Sequence, residues 1–348
     1  MVFEHPKVLN LKDKILKKVI RIKDIPEINI NRGILTGFNE AFIIDEEVKN
    51  GLIAKNPKNT EIIKPLLRGR DIKRWNIDYK DLYIIFTRRG IDIEEYPIIE
   101  EYLSQFKEKL TPKNEGQKIG RKPGKYEIQD TINYYEEFEE PKIIYPEITS
   151  NLAVVFDKNN FFIDKTCFML VHNNGDTDFL IFLCSLMSSK LLNFTFRKIG
   201  SKLGDKGLNL SKIFIEQLPI ILSSKEEQGP LKRLAIKMTD LNKKLNNEIK
   251  SFHKYLISDF KVSKLNKKLI NYYNLSFDEL YKEIKKQNKS IKRREKDLLE
   301  EEFNDSIGII KSLNFKIENT DKKINKLVYE LYELTDEEIA IIEKELKK

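Results

Sequence analysis

The chain has 348 residues, 40% hydrophobic and 34% charged, so it is long enough for two ordinary domains and too apolar to be disordered. Lysine and arginine exceed aspartate and glutamate by eight, which favours a polyanionic partner such as nucleic acid or an anionic membrane surface. Lysines interrupt the N-terminal region and the apolar stretch 179–196 is too polar to span a bilayer, so no membrane association and a cytoplasmic location are expected.

The first part of the chain changes from a basic segment to a strand pattern. Residues 1–26 interleave cations with apolar residues, so we expect a basic N-terminal segment that docks on a neighbour or frays. After them, Gly33 and Gly37 permit tight turns, and apolar residues alternate up to Ile44 as in strands. A nucleotide-binding loop is excluded because neither the Walker spacing nor Gly-x-Gly-x-x-Gly is present.

An arginine cluster follows. Five of the twelve arginines lie within residues 68–89, beside the only tryptophan. Guanidinium groups are fixed forks that match phosphate oxygens or the O6 and N7 atoms of guanine, so the cluster predicts a DNA contact. The alternative is a solvated turn with ion pairs to Asp71 and Asp78. A buried strand at 82–87 is expected to end at the last two arginines. The candidate contacts here are Arg68, Arg70, Lys73, Arg74, Arg88 and Arg89.

A helix and a polar loop come next. Pro97 lies in the first turn of the predicted helix, whose apolar face runs from Ile99 to Leu110 and whose glutamates form a solvated surface. Residues 111–125 form a polar loop with several cations, including Arg121 and Lys122. Long loops of this kind are functional or disordered, and a basic loop that orders on a phosphate backbone fits both descriptions.

The middle of the chain predicts three strands and a buried helix. The strands are 142–148, which begins with Lys142, then 152–156 and 161–171. Asp176 or Asp178 is expected to cap a helix that continues through residue 192. The segment after this helix carries Lys198, Lys202 and Lys206 around three glycines, which favours close approach to phosphate; the alternative is an ordinary basic loop.

Beyond Pro230 the composition predicts helices. Apolar residues step by threes and fours from Leu231 to Leu256, as in a long packed helix or coiled-coil seam. Ser276 and Glu279 form a capping box pattern, and residues 285–296 are mostly charged and expected to be exposed.

No catalytic or metal-binding set is found in the sequence. His5, His172 and His253 stand alone without companions at ligand spacing. Cys167 and Cys184 lie in apolar runs and are predicted to be core residues. The Asn/Asp-Pro-Pro-Tyr/Phe tetrapeptide of amino-methyltransferases is absent. We therefore expect no catalytic residue, metal or cofactor in this chain, and whether it is part of an enzyme stays open.

The order of several segments resembles a known family. The segments are Gly33 to Phe42 (GILTGFNEAF), Lys64 to Ile72 (KPLLRGRDI), Tyr126 to Gln129 (YEIQ), Lys142 to Ile148 (KIIYPEI) and Thr166 to Phe168 (TCF). Together they resemble the TaqI-like C-terminal specificity domain, which supplies target recognition in adenine-specific DNA methyltransferases and type IIG restriction-modification enzymes. Residues 328–335 look like the usual ending of such proteins.

The resemblance implies an α+β fold: a mixed-sheet target-recognition domain at 27–222, after the basic segment 1–26, followed by a helical domain at 223–348. It implies double-stranded DNA as a partner, and a methyltransferase domain or subunit, with or without a nuclease, that would bind S-adenosylmethionine. Together with the cations named above, Asn39 is a candidate for reading base edges. Two alternatives remain: a methyltransferase active only with a missing N-terminal catalytic portion, and a non-catalytic assembly protein.

Overall fold

A computed structural model describes residues 11, 14–15, 19–110, 126–203 and 207–347, without the side chain of residue 202. Its strands are β1 (Ile20–Arg21), β2 (Ile28–Arg32), β3 (Ile43–Asp45), β4 (Ile63–Leu67), β5 (Ile72–Lys73), β6 (Asn76–Ile77), β7 (Leu82–Ile85), β8 (Lys142–Pro146), β9 (Ile148–Thr149), β10 (Val155–Asp157), β11 (Phe162–Ile163), β12 (Cys167–His172), β13 (Ser201–Lys202), β14 (Leu208–Asn209) and β15 (Pro219–Ile220). Its helices are α1 (Asn39–Phe42), α2 (Glu46–Lys55), α3 (Pro97–Ser104), α4 (Lys107–Leu110), α5 (Thr177–Met187), α6 (Lys190–Ile199), α7 (Lys212–Ile215), α8 (Lys225–Ser258), α9 (Lys267–Ile270), α10 (Phe277–Lys285), α11 (Arg293–Leu331) and α12 (Asp336–Leu346). The predicted α+β class with a mostly helical C-terminal part is confirmed.

The chain divides into two compact units. The first consists of Met1–Lys232 together with Leu327–Lys348, and the second is Arg233–Lys326. This division differs from the predicted boundary at residues 222 and 223, since the end of the chain belongs to the first unit and not to the helical one.

The first sheet of the first unit has the strand order β10–β8–β12–β2, with all neighbours antiparallel. All five residues of β8 are buried, as expected for a central strand covered on both faces. The predicted strand at 161–171 is interrupted by a turn at residues 164–166, which separates β11 from β12. This turn carries an exposed lysine, Lys165.

The second sheet has the order β11–β4–β7–β3, in which β11 and β4 are parallel and the other pairs antiparallel. The backbone of Ile34 links the second sheet to the turn that precedes β12 of the first sheet. Its N–H donates to the Ile163 carbonyl over 2.8 Å, and its carbonyl accepts from Lys165 N over 2.9 Å. One core contains residues of both sheets, such as Ile144 and Leu66. The mixed-sheet domain is therefore held together by one apolar interior.

The buried helix predicted up to residue 192 is two helices. α5 ends at Met187, and Ser189 caps α6 by accepting a hydrogen bond from Leu192 N over 3.2 Å. No single helix in the described ranges is long and apolar enough to cross a membrane; α5 and α6 satisfy that test only as a pair bent by 72°. Seven of the eleven residues of α5 are buried inside the protein, as in a core helix.

The end of the chain returns to the first unit and is fixed there by polar contacts. The Tyr332 hydroxyl donates to the Pro219 carbonyl over 2.8 Å and accepts from Ile221 N over 3.2 Å. α12 begins with the capping box of Thr335 and pairs its Glu343 with Lys190 over 2.8 Å. The last helix is therefore part of the structure that surrounds the sheets.

The second unit has a core formed by its helices. Phe252 of α8 stacks on Tyr272 with 4.2 Å between ring centroids, and Leu280 of α10 and Phe303 of α11 complete this core. The predicted capping box at Ser276 is confirmed, since its hydroxyl accepts from Glu279 N over 3.3 Å and its N–H donates to the Glu279 carboxylate over 2.9 Å.

Glu283 of the second unit should give that unit a measurable acid sensitivity. Its carboxylate accepts hydrogen bonds from Lys286 and Asn266 and pairs with Lys268, and these contacts lower its pKa to about 2. Because the pKa of Glu283 is lower in the folded state than its ordinary value of 4.5, the ionised carboxylate stabilises the fold above pH 4.5. This stabilisation is lost as the pH falls towards 2. We expect Glu283→Gln to cost roughly 1–3 kcal/mol at pH 7 and little at pH 2.

The measurement is urea unfolding followed by circular dichroism at the two pH values. Glu318→Gln is the matched control, because this glutamate is exposed and lies on α11 of the same unit. Equal midpoints for wild type and Glu283→Gln at pH 7 would contradict the stabilising role.

Candidate nucleic-acid interface

Arg68, the first arginine of the cluster, fixes a turn through its side chain. Arg68 donates to the Asp71 carboxylate from Nε over 3.0 Å and from a terminal nitrogen over 3.1 Å, and its backbone N–H adds a third bond of 2.9 Å. Asp71 is 2% exposed. Of the two ion pairs predicted in the alternative, the one with Asp71 is present, whereas Asp78 pairs with Lys80; Arg68 as a DNA contact stays a prediction.

The turn held by Arg68 presents Arg70 beside the turn between β11 and β12. Gly69 N donates to Thr166 Oγ1 over 2.8 Å, and a Cβ atom on Gly69 would lie 2.8 Å from the Thr166 carbonyl oxygen. The close approach therefore requires glycine. Arg70 is exposed at the point where the two turns meet.

Two cations that the sequence analysis missed lie at the same place. Lys165 is exposed within the β11–β12 turn, and its carbonyl accepts from Arg32 Nε over 3.0 Å. Arg32 also donates to both carboxylate oxygens of Glu147, over 3.1 and 3.0 Å. Glu147 N in turn donates to the Thr166 carbonyl over 2.8 Å. These bonds fix the spacing of Arg32, Lys165 and the Arg70 turn.

A β-hairpin extends this region. β14 pairs with β9, so Leu208 lies opposite Thr149, and β13 pairs with β14. Gly207 has φ 114°, and a Cβ atom there would lie 2.6 Å from the Thr149 carbonyl oxygen, so this glycine serves backbone packing. The backbone of Lys202 is part of the hairpin, while its side chain and Lys206 lie outside the described residues.

Arg88 and Asn39 lie beside the segment 126–135, which also contacts Arg32: Arg88 lies over Tyr135, and Asn39 bonds to Thr36, whose carbonyl accepts from Gln129 N. Tyr134 donates to the Arg32 carbonyl over 2.9 Å, and the next residue, Tyr135, stacks under the Arg88 guanidinium with 3.6 Å from its central carbon to the ring centre. Asn39 is exposed, and its Oδ1 accepts from Thr36 Oγ1 over 2.7 Å. We define the candidate face as Arg32, Asn39, Arg70, Arg88 and Lys165.

Three predicted contacts form bonds within the protein; the assignment of the fully buried Lys142 is corrected, and those of Arg74 and Lys198 stay predictions. Lys142 is 0% exposed; its Nζ donates to the Phe138 carbonyl over 2.7 Å and pairs with Asp157 over 3.1 Å, and burial lowers its pKa. Arg74 donates from Nε to the Ser188 carbonyl over 2.8 Å, at the junction of α5 and α6. Lys198 pairs with Glu345 of α12 over 3.2 Å.

The remaining candidates stay predictions. Lys73 is exposed on the β5–β6 hairpin, and Arg89 is half-buried with no hydrogen-bond partner for its Nε among the described residues. Arg121 and Lys122 lie outside the described residues. Among the residues that the structure describes, no group of three histidine, cysteine, aspartate or glutamate side chains could hold a metal ion.

Two regions of the chain match known family models. Residues 64–220 match the model of the TaqI-like C-terminal specificity domain, and residues 224–328 match a family described as Domain of unknown function (DUF8810). No curated protein matches the chain. A solved structure of the type IIL restriction-modification enzyme MmeI in complex with DNA has a similar fold, with a TM-score of 0.54 and 13% identity over 90% of this chain. The match covers 34% of the MmeI chain, so this chain spans about a third of that enzyme's length.

Proposed function

We propose, on the premise that residues 64–220 form a TaqI-like C-terminal specificity domain, that this chain recognises the DNA target of a restriction-modification system. The observation that carries the proposal is the candidate face. Hydrogen bonds between their loops hold Arg32, Lys165 and the turn of Arg70 together, and Tyr134 joins the segment that Arg88 stacks on to Arg32. The likeness to an enzyme solved in complex with DNA supports the same partner.

The side chains of the candidate face have the two chemistries that DNA recognition requires. Lys165 is a flexible point charge suited to a phosphate, whereas the fork of Arg70 can contact two oxygens of a phosphate or the O6 and N7 atoms of guanine. The Arg68–Asp71 pair fixes the turn that carries Arg70, so less conformational entropy is lost on binding. Asn39 can form a bidentate pair with adenine.

The reaction itself is assigned to another polypeptide or to a further part of the same protein. That partner would bind S-adenosylmethionine and methylate adenine N6, while this chain positions it on the DNA. Incubation of the purified chain with DNA and tritiated S-adenosylmethionine should give no incorporation of label. Incorporation by the chain alone would contradict this division of labour.

Selection from a random pool of DNA duplexes tests the proposal directly. Successive rounds of binding by the full chain should enrich one short sequence, because base contacts add affinity to phosphate contacts only at the correct site. A pool that stays random after binding would contradict sequence recognition.

Asn39→Ala should relax the selected sequence at one position. The loss of a bidentate amide contact costs roughly 1–3 kcal/mol of discrimination against the wrong base. Repeating the selection with this variant measures the effect. Gln129→Ala is the control, because its amide lies nearby in the chain segment that contacts Thr36, and its own backbone N–H bond to that residue is kept. A selected sequence unchanged by Asn39→Ala would exclude Asn39 from base reading.

A further inference from the structure

The positive charge of the chain is concentrated in the second unit. Residues 233–326 contain 23 lysine and arginine residues against 14 aspartate and glutamate residues. The rest of the chain contains 40 lysine and arginine residues and 41 aspartate and glutamate residues, out of totals of 63 and 55. The unit with the candidate face is therefore close to neutral. The excess of cations that indicated a polyanionic partner therefore comes from the helical unit.

Within the second unit, two segments hold a dense group of cations. Residues 261–268 and 285–294 contain ten lysine and arginine residues and no acidic residue, and all ten are exposed. The two segments are held together, since the Gln287 side chain accepts from Lys264 N over 3.0 Å and Asn288 donates to the Phe260 carbonyl over 2.9 Å. We call these two segments the basic patch.

The position of the basic patch on α11 disfavours a purely structural role. Lys289 precedes the helix, and Arg293 and Arg294 lie in its first turn, where the partial positive charge of the helix dipole repels cations. Glu295, the acidic residue of that turn, accepts from Lys292 N over 2.7 Å. No described side chain forms an ion pair with Lys289, Arg293 or Arg294. A bound anion would relieve this repulsion, because helix N-termini and cations both attract negative charge.

We propose that the basic patch binds phosphates of duplex DNA outside the recognised sequence, without reading bases. The identity of the polyanion rests on the proposed function. A membrane surface fits the patch less well, since binding at a bilayer uses exposed apolar residues beside the cations. The large apolar side chains of the two segments are Val262, Leu265 and Ile291, and each belongs to the core of the unit or is packed against it.

The test uses the full chain with Lys289→Gln, Arg293→Gln and Arg294→Gln combined. Dissociation constants are measured by fluorescence anisotropy on one random-sequence duplex and on the selected duplex, over a series of salt concentrations. We expect the slope of log K against log salt to fall in magnitude by about 2–3, because each lost phosphate contact removes about 0.9. The variant should weaken both duplexes by the same factor, and its melting temperature should not fall, since cations are removed from a helix N-terminus.

The matched control carries Lys316→Gln, Lys322→Gln and Lys323→Gln, which remove the same charge from exposed positions further along α11. An unchanged slope in the patch variant, or an equal loss in the control, would overturn the proposal. The proposal would also be overturned if the wild-type chain bound phosphatidylserine vesicles and the patch variant lost this binding while it kept its affinity for duplexes. If the selection enriches a sequence but the patch variant leaves the salt slope unchanged, only the proposal for the basic patch is refuted. If the slope falls but no sequence is enriched, only sequence recognition is refuted.

Discussion

Combined replacement of Arg70 and Lys165 by alanine should weaken binding to the selected duplex by about 2–4 kcal/mol, or roughly 30- to 1,000-fold. Both side chains are exposed on turns that are joined by the Gly69–Thr166 hydrogen bond, so one segment of DNA can contact both. Anisotropy titrations at fixed salt measure the change. Unlike changes in the basic patch, this double substitution should weaken the selected duplex more than a random one.

A control of equal charge is available on the same unit. Lys55→Ala with Lys158→Ala removes two exposed lysines that lie outside the candidate face. This pair should change affinity by no more than a few-fold, because isolated surface charges act only through the screened long-range field. If both doubles weaken binding equally, the assignment of the candidate face is wrong, even if the chain does select a sequence.

Lys142→Met should destabilise the first unit by about 3–5 kcal/mol, because it leaves the Asp157 carboxylate as an unpaired buried charge. Both partners are 0% exposed, and Asp157 also accepts from the backbone N–H groups of Asn159 and Phe161. Urea unfolding followed by the fluorescence of Trp75 measures the effect, since this residue is the only tryptophan and lies in the first unit.

A second variant separates lost charge compensation from lost packing. In Lys142→Met with Asp157→Asn, the asparagine oxygen keeps one of the two backbone hydrogen bonds, the one from Asn159 N, while the buried negative charge is removed. We expect the double variant to recover part of the stability. If it is no more stable than Lys142→Met alone, the cost comes from packing around the long lysine chain rather than from the ion pair.

The local elements could be predicted from the sequence, whereas the roles of the cations could not. Strand β8 and the capping box at Ser276 follow from patterns within a few residues, and these predictions are confirmed. The arginines of the cluster, in contrast, differ in their roles because of long-range contacts. Arg74 bonds to the carbonyl of Ser188, which is 114 residues away. No local pattern distinguishes it from the exposed Arg70.

The candidate face was only partly predicted for the same reason. Arg32 is the last residue of β2 and Lys165 lies in a turn, and their proximity depends on the bridge between Ile34 and Asp164, which are far apart in the sequence. A sequence signal did exist for Lys165: Asp164 precedes it by one residue and accepts from Thr166 N over 2.9 Å, the pattern of a tight turn that exposes its middle residue.

The return of the chain end to the first unit has a consequence for how such proteins can exchange parts. A single crossover between genes anywhere in residues 233–326 would separate Tyr332 from its carbonyl partner at Pro219 and give the sheets a last helix from another protein. Two crossovers, one near residue 232 and one near residue 327, replace the helical unit as a cassette and keep that contact. Chimaeras built by both routes should differ in expression yield, with the double-crossover form folding and the single-crossover form accumulating as aggregate.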